Sequence, residues 1–178
     1  YDGVNEGVLV DLNIGGSDVP AMLKADRNGF FYVLNRTNGD LISAEPISVT
    51  NWATHIDKET GMPVEAAGNE FRPQLDKWAR GVCPNLIGGK NWQPMSYSEQ
   101  TGLVYVPTFN LCMDIANREQ KYVKGNFYLA SEFDLAIATP GFEDSLGEYK
   151  AWDPVTQKLV WSIKEPLPWL GGALTTAG

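Results

Sequence analysis

The sequence predicts an all-β fold built from repeated antiparallel strands, part of a β-propeller, with a β-sandwich as the alternative. Two observations carry this. Four segments repeat one turn pattern: NRTNG (Asn35 to Gly39), DKETG (Asp57 to Gly61), SEQTG (Ser98 to Gly102) and DPVTQ (Asp153 to Gln157). In each, the leading Asn, Asp or Ser can accept hydrogen bonds from backbone amides two or three residues on. The closing glycine supplies positive φ, so each segment reads as a tight connection between antiparallel strands. The fourth copy has Gln157 where the others have glycine. The second observation is the set of short β-rich runs around these turns, since segments of about 40 to 50 residues with several strands each are the signature of propeller blades.

Taken in order, the runs are GVLVDLNI (Gly7 to Ile14), GFFYVLNR (Gly29 to Arg36), GLVYVPTF (Gly102 to Phe109), NFYLASEF (Asn126 to Phe133) and KLVWSIKE (Lys158 to Glu165). Each is rich in Val, Ile, Phe, Tyr or Trp, the residues that fit a pleated surface. Most alternate only partly, which predicts strands covered on both faces. Between the second and third turns, Met62 to Met95 is rich in Gly, Pro, Asn and Trp and poor in strand pattern. A long stretch of that kind is usually functional or packed on its own account, and it is where a site is expected. The single histidine, His55, has no cysteine or histidine at metal-ligand spacing and reads as a loop residue beside a polar turn.

The 178 residues suffice for one modest domain or a piece of a larger one. A composition of 43% hydrophobic and 20% charged residues excludes disorder and fibrous repeats. The net charge of -8, from 22 acidic and 14 basic residues with no basic run, argues against a nucleic-acid partner. No stretch approaches the roughly 18 apolar residues of a membrane-spanning helix. The sequence begins at Tyr1 without methionine and ends in GGALTTAG, where a strand is expected to start. It therefore reads as an internal segment, and the lack of signal-peptide features at Tyr1 says nothing about targeting.

Four stretches carry a resemblance. AWDPVTQKLVW (Ala151 to Trp161) follows the pattern alanine, x, aspartate, x, x, threonine, glycine, lysine, x, x, tryptophan except at Gln157. It resembles the tryptophan-docking motif of quinoprotein dehydrogenases, which are eight-bladed propellers. The equivalent positions after the other turns hold Ser43, Glu65 and Val106, so the motif appears once. KADRNGFFYVLNRTNG (Lys24 to Gly39) and GGKNWQPMSYSEQTGLVYVP (Gly88 to Pro107) are similar to cofactor-reaching segments of pyrroloquinoline quinone (PQQ) alcohol dehydrogenases. YDGVNE (Tyr1 to Glu6) resembles that family's catalytic segment tryptophan, aspartate, tyrosine, x, glycine, valine, asparagine.

The resemblance implies that residues 1–178 form about three blades of an eight-bladed PQQ-dehydrogenase propeller domain, an oxidoreductase of the lanthanide-dependent methanol dehydrogenase type. It places the catalytic base aspartate just before Tyr1. Asp2 then falls on the x position, where calcium-dependent members carry alanine and lanthanide-dependent ones carry aspartate, so Asp2 is expected to be a metal ligand. A trivalent hard cation takes many oxygen ligands, and a further carboxylate helps meet its charge. Two residues apart in an extended backbone, the base and Asp2 would share a face; the alternative for Asp2 is a turn-forming residue before Gly3. Arg27 would bind the cofactor beside its reactive carbonyl and support catalysis electrostatically, the alternative being a surface arginine in a turn. Asn91 and Trp92 would contact the cofactor's polar edge and ring vicinity, or else be a turn asparagine with a buried aromatic. Cys83 and Cys112 match by position a disulfide of the family, which implies an oxidising compartment, here the periplasm; two reduced core cysteines are the alternative.

The implied reaction oxidises methanol or a similar short primary alcohol with PQQ and a lanthanide, with Ca²⁺ as the alternative metal, and passes electrons to cytochrome c. Homodimers are common in the family. Two other readings stand beside this one: a lanthanide- or calcium-dependent ethanol-type quinoprotein dehydrogenase, and a noncatalytic propeller that binds a protein partner.

Overall fold

The computed structural model describes residues 1–68, 70–168 and 171–177, and among these there are strands and turns but no helix. β1 (Val8–Ile14), β2 (Ser17–Ala25), β3 (Phe30–Asn35) and β4 (Leu41–Pro46) form an antiparallel meander in chain order. β5 (Ala53–Ile56) and β6 (Pro63–Glu65) pair as a short hairpin. A second four-stranded sheet has the order β13 (Lys158–Glu165), β12 (Gly147–Asp153), β9 (Leu103–Phe109), β8 (Ser96–Ser98). β7 (Ala79–Val82), β10 (Leu111–Asn117) and β11 (Ser131–Ala138) make a three-stranded sheet in the order β11, β10, β7. Among the described residues, no helix is long and apolar enough to cross a membrane.

All four repeated turns join antiparallel neighbours: β3 to β4, β5 to β6, β8 to β9 and β12 to β13. Three of them show the side-chain chemistry the sequence predicts, while the turn led by Ser98 closes through its backbone alone, Gly102 N donating to Ser98 O at 2.8 Å. Asn35 Oδ1 accepts from Thr37 N at 2.9 Å, Asp57 Oδ1 from Thr60 N at 2.8 Å, and Asp153 Oδ1 from Val155 N at 2.8 Å. Gln157 takes the left-handed conformation usually left to glycine, with φ of 56°. Its side chain offsets that strain: Oε1 accepts from Trp152 Nε1 at 3.2 Å, and Nε2 donates to Ser43 Oγ at 2.8 Å. Ser43 lies on β4, so the residue that departs from the turn pattern ties the two four-stranded sheets together.

These two sheets face each other across the main core. Leu23, Ala25, Phe31 and Val33 from the first meet Val104, Val106 and Trp152 from the second. The Phe31 and Trp152 rings lie 6.0 Å apart, and each large buried side chain here contributes about 1.5 to 3 kcal/mol. Lys150, buried on β12, donates to Ile47 O at 2.6 Å just beyond β4 and pairs with Glu148 at 3.2 Å. A second cluster seats the β5–β6 hairpin through Phe30, Ala44, Ala53 and Ile56. A third, of Ala79, Val82, Met113 and Ile115, holds the three-stranded sheet. The Cys83–Cys112 disulfide joins the end of β7 to β10 and closes a 29-residue separation; constraining a loop of that size contributes about 3 to 4 kcal/mol.

Four expectations are corrected. Asn126 to Ala130 are not strand; β11 starts at Ser131, and Phe127 and Tyr128 are exposed in a loop closed by Gln120, whose Oε1 accepts from Leu129 N and Ala130 N. β-propensity without a partner strand does not make a ladder. Coverage on both faces fails for β1 and β11, which alternate exposed and covered positions, and for β13, which is exposed over most of its length; all three are sheet edges. His55 stands on β5 and not in a loop, exposed, with its ring Nδ1 2.9 Å from Thr54 Oγ1. Residues 171–177 show no strand and run beside β8, where Thr175 Oγ1 donates to Tyr97 O at 2.9 Å; Gly178 lies outside the described residues.

The Gln157 bridge is testable. Gln157→Ala keeps the strain and removes two hydrogen bonds, so the urea midpoint should drop by the equivalent of about 2 kcal/mol. Gln157→Gly also relieves about 1 kcal/mol of left-handed strain and should lose only about half as much. A Gly variant more stable than the native protein would show that the bridge contributes less than the strain.

Candidate active site

Three segments distant in sequence meet at one place: the strap of residues 1–6 ahead of β1, the β2–β3 turn at Asp26 to Gly29, and the loop of residues 83–95 between β7 and β8. The turn is set by local chemistry. Gly29 N donates to Asp26 O at 3.1 Å, and Phe30 N donates to Asn28 Oδ1 at 3.1 Å. This leaves Arg27 at the tip. The loop then packs onto the turn from outside: Gly89 N donates to Arg27 O at 3.1 Å. At Gly88, φ is 89° and an added Cβ would lie 2.6 Å from Arg27 Cα, so only glycine fits.

Arg27 is half-buried, not a surface arginine. One guanidinium nitrogen donates to Asp2 O at 3.2 Å and the other to Leu86 O. Its buried Nε has no hydrogen-bond partner among the described residues. A buried charged donor left unmatched is costly, and such groups call for an acceptor. Asp2 is brought to the same place by its backbone, while its side chain is exposed. Its φ of 50° is left-handed, so strand alternation does not set the direction of its carboxylate. The left-handed backbone sets the side chain's direction instead, and aspartate is among the residues that tolerate that region. Gly3 lies tightly against Asp26, where an added Cβ would sit 2.3 Å from a carboxylate oxygen.

The other two expected contacts are arranged differently. Asn91 turns its amide inward, donating to Ile87 O at 2.7 Å and accepting from Trp92 N at 2.8 Å, and so closes the loop. Trp92 is 64% exposed, not a buried aromatic. Residues that sequence reasoning missed complete the arrangement. Asn5, buried, donates to Ala25 O at 2.7 Å, and Lys90 pairs with Glu6 at 2.6 Å. Tyr1 donates its hydroxyl to Pro84 O at 2.8 Å, and burial pushes its phenol well above the usual range. An apolar cavity of about 220 Å³ opens beside the strap, lined by Tyr1, Trp52, Phe71, Leu86 and Met113 among others.

Among the described residues, no three His, Cys, Asp or Glu side chains come together as a metal cluster. Asp2 therefore fits a hard cation only as one oxygen ligand among others. The unmatched Arg27 Nε fits an acceptor oxygen of a bound cofactor. Gly88→Ala against Gly39→Ala separates site packing from backbone strain. Both glycines have positive φ, but nothing lies within 4 Å of an added Cβ at Gly39. Gly39→Ala should cost about 1 kcal/mol; Gly88→Ala should cost about 3 kcal/mol or more in a urea titration.

No protein-family model matches the chain. Among curated proteins, a lanthanide-dependent methanol dehydrogenase of Methylacidiphilum fumariolicum (strain SolV) is 42% identical over 178 residues. A quinoprotein ethanol dehydrogenase of Pseudomonas aeruginosa is 44% identical over 186 residues. Each match covers the whole chain, which spans 29% of the length of either relative. A solved europium-containing methanol dehydrogenase superposes with a TM-score of 0.88 over 94% of the chain and 29% of that structure, at 42% identity. A quinohemoprotein alcohol dehydrogenase from Comamonas testosteroni superposes at 0.80 with 35% identity, over 96% of the chain and 26% of that structure. Along its whole length the chain is thus similar to quinoprotein alcohol dehydrogenases, and its fold is that of part of their β-propeller.

Proposed function

We propose that the protein carrying this chain oxidises methanol, or a similar short primary alcohol, to the aldehyde with PQQ and a lanthanide in the periplasm, and passes the electrons to cytochrome c. The observation that carries this reading is Arg27: its guanidinium is pinned by Asp2 O and Leu86 O, while its buried Nε remains without a protein acceptor. The Cys83–Cys112 bond supports an oxidising compartment.

When bound, the quinone supplies the hydride acceptor, and a hard cation polarises its reactive carbonyl. Arg27 would hold the cofactor's reactive edge, donating from Nε to an oxygen on which charge develops. A guanidinium suits this because it stays charged and offers donors in a fixed plane. Its two carbonyl contacts fix that plane before the cofactor binds, so little reorganisation is needed when charge appears. Asp2 would contribute one carboxylate to the cation. Trp92, exposed at the loop tip, would cover the ring, and Asn91 would act by shaping the loop that seats Arg27. The proton-accepting aspartate is expected just before Tyr1, which lies half-buried against Trp52 with ring centroids 5.5 Å apart. Residues 1–178 alone, lacking that base and the remaining cation ligands, should not reduce a dye with methanol.

The 44% identity to an ethanol dehydrogenase supports a second reading, an ethanol-type enzyme with the same machinery. One experiment tests both. The full-length protein, prepared without metal and given PQQ, is assayed for dye reduction with methanol and ethanol, with La³⁺ or Ca²⁺. The expected result is La³⁺-dependent methanol oxidation that falls about 100-fold or more in Asp2→Ala. Equal activity with Ca²⁺ that survives the substitution would return Asp2 to a turn-forming role. Preference for ethanol would select the second reading.

A further inference from the structure

One charged pair has no part in the chemistry assigned above. The Lys90 side chain is 0% exposed, and its Nζ donates to both Glu6 carboxylate oxygens, at 2.8 and 2.6 Å. Glu6 Oε1 also accepts from Met95 N at 2.7 Å. Asn5 Nδ2 adds a bond to Lys90 O at 3.3 Å. The strap is thus held to the 83–95 loop at two points, Tyr1 on Pro84 and Glu6 on Lys90, with Asp2 between them. Next to Lys90, Gly89 grips the backbone of Arg27. One rigid loop therefore holds both partners of the Arg27–Asp2 contact.

We infer that the Glu6–Lys90 pair, with its lysine fully buried and its carboxylate half-buried, is a positioning clasp, which fixes the strap across the Arg27 turn so that the Asp2 carboxylate is presented at a set place. The pair acts through the strap and touches neither cation nor cofactor. This inference rests on the metal role proposed for Asp2. An ion pair with one fully buried member suits the task because it resists sliding: moving Glu6 away leaves the desolvated Lys90 charge unmatched. An apolar contact would be non-directional and could slip. Lys24 and Asp26, paired at 3.0 Å, are the other charges that act on Lys90, and they belong to the turn itself.

The test uses the full-length protein with PQQ and the variants Lys90→Gln, Glu6→Gln and the double variant. Amide hydrogen exchange is measured along the chain, and La³⁺ is titrated for its apparent affinity. The clasp predicts that exchange at residues 2–5 rises at least tenfold while the β2, β3 and β9 amides stay protected. It also predicts that La³⁺ affinity weakens at least tenfold, with the double variant no worse than the worse single one. Should Lys90→Gln fail to fold, Glu6→Gln, which keeps the side chain's size and one acceptor oxygen, carries the test. Unchanged strap exchange, a uniform rise across all strands, or a loosened strap with unaltered La³⁺ affinity would each overturn the inference. A native protein that shows no La³⁺-stimulated activity fails the functional reading instead, and this is seen before any variant is made.

Discussion

The close seating of the two four-stranded sheets sets where everything else lies. Phe31 and Trp152 meet at 6.0 Å in the centre of their shared core, and Lys150 reaches across to Ile47 O. With that interface fixed, β2 and β3 can place their turn in only one position relative to the loop that leads into β8. The loop closes on it through Gly88 and Gly89, against the backbone of Arg27. Packing density leaves no slack at such contacts. The position of one guanidinium thus follows from hydrophobic burial two layers away.

Charge enters this frame at a cost that explains its arrangement. Lys90, Glu6, Lys150 and Glu148 are all at least partly desolvated, and each is paired. Burial pulls the ammonium groups of Lys90 and Lys150 below their usual range, and their carboxylate neighbours hold them up. Arg27 differs. Two of its nitrogens are satisfied by carbonyls, and its buried Nε has no partner among the described residues. Among the described residues of the site it is the one cation with an unmatched buried donor, and the cofactor role proposed for it rests on that asymmetry.

Much of the frame was legible in the sequence because it depends on local rules. The turns led by Asn35, Asp57 and Asp153 bind their own backbone, and the runs that became β1, β3, β9 and β13 carry β-branched and aromatic residues. What escaped depends on pairings that residue type alone does not announce, near or far along the chain. β2 contains Pro20, which argues against a strand, yet it pairs with β1 at Asp11. β12 holds Glu148 and Lys150, charges that look solvent-facing until their pairing is known. In the site, Arg27 and Asp2 were found by resemblance. Glu6 and Lys90, 84 positions apart, were not found at all. The one available signal was a lysine between glycines and an asparagine in a loop with few other charges. The left-handed φ of Asp2 was equally hidden, since aspartate before glycine permits both extended and turned backbone.

The most direct test of the account is a crystal structure of the full-length protein with PQQ and La³⁺, the metal located by its anomalous scattering. The account predicts Arg27 Nε at about 3 Å from a cofactor oxygen, with the Asp2 carboxylate among the La³⁺ ligands. An Arg27 Nε turned to a protein carbonyl or to water, with Asp2 left in solvent, would contradict it.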